Sequence, residues 1–304
     1  MTRLCSDYVR SIPRTLSSYE KKLVSRTGLG LQELAVRAAE LMMLVSGDGD
    51  DDGSSEWKKK EEDNLCRPEG RKAAVVPISA GQGEIVGFCT AVSSILDFIG
   101  FDAAVMDKPD VTGLASALSQ RRSTVFMADD ETFIALNTAL NSSVDNDRAT
   151  AAAYVAALEA MNGGDLEGEE VLVAGGGSVG CEVLGFLLAL GARPLCCEID
   201  EERQRHLQRE HSGESYFSCL NGEEFAGRAE GIDMIVDCTP AAGLITEDSV
   251  NEETIIAAPG VPPGFTEEVE QKHGERIIHD PLQLGVAAMG MAVIQPDPAG
   301  NCGG

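Results

Sequence analysis

Val171-Leu172-Val173-Ala174-Gly175-Gly176-Gly177-Ser178-Val179-Gly180 is the stretch that decides the fold. An apolar strand runs into a G-x-G-x-x-G turn at Gly175, Gly177 and Gly180, and a helical run follows from Cys181 to Leu190. A second apolar strand, Pro194-Leu195-Cys196-Cys197, ends in Glu198, 18 residues after Gly180. Gly175 permits a tight turn, Gly177 lets the backbone approach a pyrophosphate, and Gly180 lets helix and strand pack closely. The helix N-terminus offers free N–H groups to the phosphates, and Ser178 and Val179, in the turn before it, are cofactor-binding candidates. Glu198 stands where an acid accepts the ribose hydroxyls of NAD and repels the extra phosphate of NADP. The pattern predicts a dinucleotide-binding strand–turn–helix–strand unit with NAD as cofactor. A tight turn without ligand is the plainer alternative.

The 304 residues suffice for a sizeable core and suggest two domains. Asp plus Glu number 50 against 24 Lys plus Arg, a net charge of −26. Phosphate-rich partners are repelled by such a chain, which argues against nucleic acid and anionic membranes. The acid excess is spread along the chain, as suits either a high-salt cytoplasm, where screening tolerates self-repulsion, or an ordinary acidic enzyme. Nine scattered cysteines with no C-x-x-C, and no secretory signal, point to a reducing cytoplasm. His206, His211, His273 and His279 have no metal-ligand spacing, and no apolar run reaches membrane-spanning length. The expectation is a cytoplasmic protein with a small-molecule substrate and no metal; a homodimer is compatible with these features.

Outward from the glycine turn, β and α patterns alternate in both directions. Tyr8, Ile12 and Leu16, then Leu31 and Ala35 with Leu34 and Ala38, recur at helical spacing over residues 1–43, and Thr27-Gly28-Leu29 breaks them into two helices. Ser46 to Gly70 turns to Gly, Asp, Ser, Lys and Glu, and reads as a solvated or disordered insertion without the ligand spacing of a calcium loop. Three apolar runs, Ala73–Ile78, Ala103–Met106 and Thr124–Met127, are separated by helical patterns at Phe88–Phe98 and Val111–Leu118. They predict a small parallel sheet. The loops beyond these strands, Ser79–Gly83, Asp107–Asp110 and Ala128–Glu131, are expected to line one cleft.

An Ala-rich helix, about Asp147 to Met161, leads to the glycine turn, and Gly163-Gly164 stops it. After Glu198, strands are expected at Ile232–Asp237, Thr254–Ala258 and Arg276–His279, then an Ala/Met helix. Thr239-Pro240 and Pro259-Gly260 lie at the ends of the first two, where loops of such folds pass the nicotinamide ribose. The fold class is α/β: N-terminal helices with a small parallel sheet, then a Rossmann-type dinucleotide-binding domain. The expected division is 1–150 for a substrate-binding domain, 151–295 for the Rossmann domain and 296–304 for a flexible tail.

Several runs resemble one family. They are Val76-Pro77-Ile78-Ser79-Ala80-Gly81-Gln82-Gly83, Asp107-Lys108-Pro109-Asp110-Val111-Thr112-Gly113, Phe126-Met127-Ala128-Asp129-Asp130-Glu131-Thr132-Phe133, Ala257-Ala258-Pro259-Gly260-Val261-Pro262 and Asp280-Pro281-Leu282-Gln283-Leu284-Gly285. The family is the pyrrolysine-synthesising dehydrogenases. The resemblance implies NAD-dependent oxidation of the terminal amine of (3R)-3-methyl-D-ornithyl-N6-L-lysine, loss of ammonia and closure of a pyrroline ring. It also implies substrate contacts from Leu4, Gln82, Gly83, Ala128, Asp129 and Asp280. Ala80 and Gln82 depart from a Ser-Gly-Asn-Gly pattern, and Asp280 stands in place of Glu.

The chemistry of an amine substrate suits two acids in a cleft. An alkylamine is mostly protonated near neutrality, with a pKa of about 10.4, and must be neutral to release hydride. Asp129 is the candidate catalytic residue, orienting the amine and relaying its proton. Asp130 is assigned to cap a following helix, a role either aspartate could fill. Another NAD-linked amino-acid or opine dehydrogenase, or a non-catalytic dinucleotide sensor, would share the same cofactor site.

Overall fold

Thr27-Gly28-Leu29 ends the first helix. Gly28 takes φ 75° and its N–H donates to Val24 O at 2.9 Å, a left-handed cap that a residue with a Cβ would strain. The Thr27 hydroxyl accepts the Leu29 N–H at 3.0 Å, and the Glu20 carboxylate accepts the Leu31 N–H to start the next helix. The computed structural model describes residues 6–46, 65–81, 85–211, 218–220, 224–229 and 231–296. Leu4, Gln82, Gly83, most of the expected insertion and nearly all of the expected tail lie outside them.

The chain divides into two units. One takes in the chain up to Glu20, Leu31–Ala149 and the chain from Leu282 onward; the other takes in Lys21–Gly30 and Thr150–Pro281. Elements in chain order are α1 (Ser6–Thr27), α2 (Leu31–Ser46), β1 (Lys72–Val76), α3 (Phe88–Phe98), β2 (Asp102–Val105), α4 (Asp110–Ser119), β3 (Thr124–Ala128), β4 (Phe133–Asn137), β5 (Ser142–Asp145) and α5 (Asn146–Met161). There follow β6 (Glu170–Ala174), α6 (Ser178–Ala189), β7 (Arg193–Cys197), α7 (Glu201–Glu210), β8 (Ser218–Leu220), α8 (Glu224–Ala229), β9 (Met234–Asp237), β10 (Ile255–Ala258), α9 (Glu267–His273), β11 (Ile277–His279) and α10 (Gln283–Val293).

The first unit holds a five-stranded sheet in the order β2-β1-β3-β4-β5. β1, β2 and β3 are parallel, as their apolar runs predict; β4 and β5 add antiparallel strands that the sequence reading did not contain. β4 alternates buried and half-buried residues over Phe133–Asn137, the period-2 pattern of a strand with one packed face. α10 packs on α2, α3, β4 and β5. This corrects the expected assignment of 282–295 to the Rossmann domain. The last turn of α10 is held here, because Asn137 Nδ2 and Ser142 Oγ both donate to Val293 O, at 3.2 and 3.0 Å. Gly290 brings α10 close to its neighbours, since a Cβ there would lie 3.1 Å from Leu96 Cδ2 and 3.2 Å from Phe101 Cε2.

The second unit holds six parallel strands in the order β8-β7-β6-β9-β10-β11. Counted from β6, this is the 3-2-1-4-5-6 order of a doubly wound dinucleotide-binding sheet. The order reverses between β6 and β9, and a ligand crevice opens at such a switch point. One face of the sheet packs Leu172, Ile235 and Ile256 with Phe225 and Phe265, all buried. α5 is buried on every side from Ala151 to Leu158, as its small and apolar residues allow.

Candidate functional site

The glycine turn joins β6 to α6 with the geometry its spacing predicts. Gly175 takes φ 89°, and a Cβ there would lie 2.9 Å from Thr239 Cγ2 and 3.2 Å from Cys238 O. A Cβ at Gly180 would overlap the carbonyl oxygen of Gly175, so the third glycine lets the helix fold down on the turn itself. Gly177 is different: the atom nearest to a Cβ there is Arg203 Nη1, at 4.0 Å. That side of the turn is open to an approaching ligand. α6 starts at Ser178, three residues earlier than expected, and carries neither a side-chain cap nor an acid in its first turn. The N–H groups of Ser178, Val179 and Gly180 thus fall where a helix leaves its donors unpaired. An open Gly177 above unpaired, uncapped donors fits a dinucleotide pyrophosphate.

Glu198 is buried at the end of β7. Its Oε2 accepts the Gly176 N–H at 2.8 Å and its Oε1 accepts the Asp200 N–H at 2.9 Å. The acid is therefore tied both to the glycine turn and to the start of α7. Each carboxylate oxygen accepts more than one hydrogen bond, so capacity for ribose hydroxyls remains. Arg203 Nη1 stands 4.0 Å from Glu198 Oε2 on the exposed side.

Thr239, Pro240, Pro259 and Gly260 gather at the ends of β9 and β10. Sequence reasoning missed what joins them, the buried Asp237. Its Oδ1 accepts from the Thr239 N–H at 3.1 Å and from the Thr239 hydroxyl at 2.7 Å, and its Oδ2 accepts the Gly264 N–H. Burial pushes the Asp237 carboxyl above its ordinary range, against the lowering by these donors. A Cβ at Gly260 would overlap Thr239 O, so glycine is required where the two loops touch. The available signal was local: an Asp two residues before a Thr at a strand end favours such side-chain-to-backbone bonds.

In the first unit, the loops after β1, β2 and β3 meet. The Ser79 N–H and hydroxyl both donate to the Asp110 carboxylate. The Ser79 hydroxyl, then its N–H, hold the Asp110 carboxyl below the usual range. Asp110 itself adopts φ 55°, a left-handed conformation that Asp tolerates better than most residues. Gly81, at φ 72°, lies against the Asp130 carboxylate so closely that a Cβ would overlap Oδ2. Gly113 explains the end of the Pro-Asp-Val-Thr-Gly run, because a Cβ there would overlap Lys108 O and lie 2.7 Å from Val76 Cγ1. Gly113→Ala is accordingly expected to lower stability by about 1–3 kcal/mol. Chemical denaturation measures this, and an unchanged midpoint would rule out the crowding account.

The local backbone role expected of Asp130 is filled by Asp129. No helix follows them; β3 turns directly into β4. Asp129 shapes that hairpin, with Oδ1 accepting the N–H groups of Glu131 at 2.9 Å and Thr132 at 2.8 Å, while its own N–H donates to Thr132 O. The Thr132 N–H, then the Glu131 N–H, hold its carboxyl below the ordinary range. Asp129 is exposed, and no hydrogen bond to its Oδ2 is found among the described residues. An anchored, ionised carboxylate with a spare oxygen suits ion pairing with an ammonium better than proton storage. Ala128 is half-buried at the end of β3. Asp280 is buried in the second unit, after β11, and its N–H donates to the Tyr154 hydroxyl at 2.8 Å. Among the described residues, no cluster of His, Cys, Asp and Glu could hold a metal, and no helix is long and apolar enough to cross a membrane.

Residues 9–144 match the family described as "Pyrrolysine biosynthesis protein PylD, N-terminal domain". The pyrrolysine synthase of Methanosarcina barkeri is 30% identical over 225 residues, covering 73% of this chain and 81% of that protein. The pyrrolysine synthase of Methanosarcina acetivorans is 29% identical over 220 residues, covering 72% and 80%. Among solved structures, quinate dehydrogenase from Corynebacterium glutamicum in complex with NAD superposes with a TM-score of 0.49 at 10% identity, covering 75% of this chain and 96% of that one.

Proposed function

The chain belongs to the pyrrolysine synthase family, and from that premise we propose that it oxidises the terminal amine of (3R)-3-methyl-D-ornithyl-N6-L-lysine with NAD. Hydride leaves the carbon bearing that amine, giving an imine. The ornithine α-amine then attacks the same carbon, ammonia leaves, and the pyrroline ring of pyrrolysine is closed. A small-molecule substrate and a cytoplasmic setting go with this reading. The observation that carries it is a glycine turn open at Gly177 and bonded through the Gly176 N–H to Glu198, in a chain with these relatives.

When bound, NAD supplies the hydride acceptor. The N–H groups of Ser178, Val179 and Gly180 receive its pyrophosphate, and Glu198 takes the adenosine ribose. Thr239, Pro240, Pro259 and Gly260 border the nicotinamide end, with Asp237 holding their two loops together. Asp129 pairs with the terminal ammonium through its spare Oδ2 and orients the carbon to be oxidised. Asp129 also relays the proton that the amine must lose before hydride leaves. The family resemblance assigns further substrate contacts to Leu4, Gln82, Gly83, Ala128 and Asp280.

The test is mass spectrometry of a reaction containing the ornithyl-lysine dipeptide and NAD. Pyrrolysine is expected, with NADH formed in equal amount. NADH formation on a simple amino or imino acid, and none on the dipeptide, would replace this reading with an amino-acid or opine dehydrogenase. No NADH formation with any amine would point to a dinucleotide sensor.

A further inference from the structure

The dinucleotide corner contains a cation that the assignments above do not use. Arg203 lies in the first turn of α7, where its N–H donates to the capping Asp200 carboxylate at 2.9 Å. Its guanidinium reaches back over the glycine turn, 4.0 Å from Glu198 Oε2 and 4.0 Å from a Cβ built on Gly177. The two partners differ in freedom. Glu198 is 5% exposed and fixed by two backbone N–H groups, whereas the Arg203 side chain is 61% exposed. Glu198 thus cannot swing aside for a phosphate arriving at the ribose, but Arg203 can move toward one.

We propose that Arg203 is a specificity-determining residue of this site, and that cofactor choice is set by the Glu198–Arg203 pair rather than by the acid alone. The proposal rests on the dinucleotide reading above. With Glu198 in place, the guanidinium faces the carboxylate, and a 2′-phosphate meets a negative charge that cannot retreat. With the acid neutralised, the same guanidinium is free to take that phosphate through the bidentate contacts Arg makes with such groups. The chain is therefore one substitution away from accepting NADP, and Arg203 is what makes it so.

Fluorescence titration of NADH and NADPH tests this without turnover, using the full chain as wild type, Arg203→Ala, Glu198→Gln and the double variant. Wild type should bind NADH more tightly than NADPH. Glu198→Gln should gain at least about tenfold in NADPH affinity, the scale of one hydrogen bond to a charged group, and the double variant should lose that gain. Arg203→Ala alone should weaken residual NADPH binding more than NADH binding, a comparison that does not depend on Glu198→Gln folding well. An equal gain with and without Arg203, or no gain at all, overturns the proposal. An equal loss of NADH and NADPH on Arg203→Ala also overturns it, because the guanidinium then serves the shared pyrophosphate. If wild type binds neither nucleotide, the dinucleotide reading itself fails and the proposal falls with it; tight NADH binding with no role for Arg203 sinks the proposal alone.

Discussion

Asp129→Asn is expected to lower kcat/KM by about 10²- to 10⁴-fold, the range of positioned acid–base groups. The substitution is informative because it spares the hairpin. The amide oxygen of Asn still accepts the N–H groups of Glu131 and Thr132 that the Asp129 Oδ1 accepts now. What disappears is the charge on the spare oxygen. Steady-state kinetics on the dipeptide, with NADH affinity and a thermal melt as controls, separate a lost ion pair from a damaged fold. Full activity in Asp129→Asn would show that the carboxylate is only a turn former. A dead Asp130→Asn beside an active Asp129→Asn would move the amine to the Gly81 side of the loop.

The second large effect falls on the glycine turn. Gly180→Ala places a methyl group on the Gly175 carbonyl oxygen, and the backbone fixes the positions of both, with no side-chain torsion to move them apart. Crowding of this kind costs about 1–3 kcal/mol. If it is relieved by lifting α6 off the turn, NADH binding should weaken by about 5- to 150-fold. Gly185→Ala is the internal control, since it lies on the same helix and a Cβ there has nothing within 4 Å. It should bind NADH normally and be somewhat more stable, because alanine favours helix over glycine by about 0.8–1.0 kcal/mol. Equal NADH affinity in the two variants would mean that the close approach at Gly180 does not shape the site.

Much of this architecture was legible in the sequence. The helix expected over Phe88–Phe98 is α3 to the residue, and the expected β1, β3, β7 and β10 lie within two residues of those observed. These segments are strongly periodic or continuously apolar, so local pattern and tertiary packing agree. The failures have separate causes. β4 and β5 are short, and β5 is Ser-Ser-Val-Asp, whose composition says turn; only pairing with β4 makes it a strand. α10 is buried all round and so has no polar face to show which sheet it covers. Asp129 was weighed as a helix cap because an Asp that accepts two nearby N–H groups looks the same in sequence before a helix or at a hairpin. Asp237 carries a local signal toward Thr239, but its bond to Gly264 joins a loop far along the chain, and the placement of the Arg203 guanidinium beside Glu198 and the glycine turn shows only in the fold.

The placement of α10 has a consequence for how the polypeptide comes off the ribosome. Chains fold as they emerge, the amino-terminal part first. Here the sheet of β1 to β5 is translated early, yet the helix that covers it, and that takes Asn137 and Ser142 on its last carbonyl, is made after β11. The strands of the dinucleotide sheet, by contrast, all lie within one stretch of chain, from Glu170 to His279. The unit begun first is therefore completed last, and the apolar surface that α10 covers stays open until the end of synthesis.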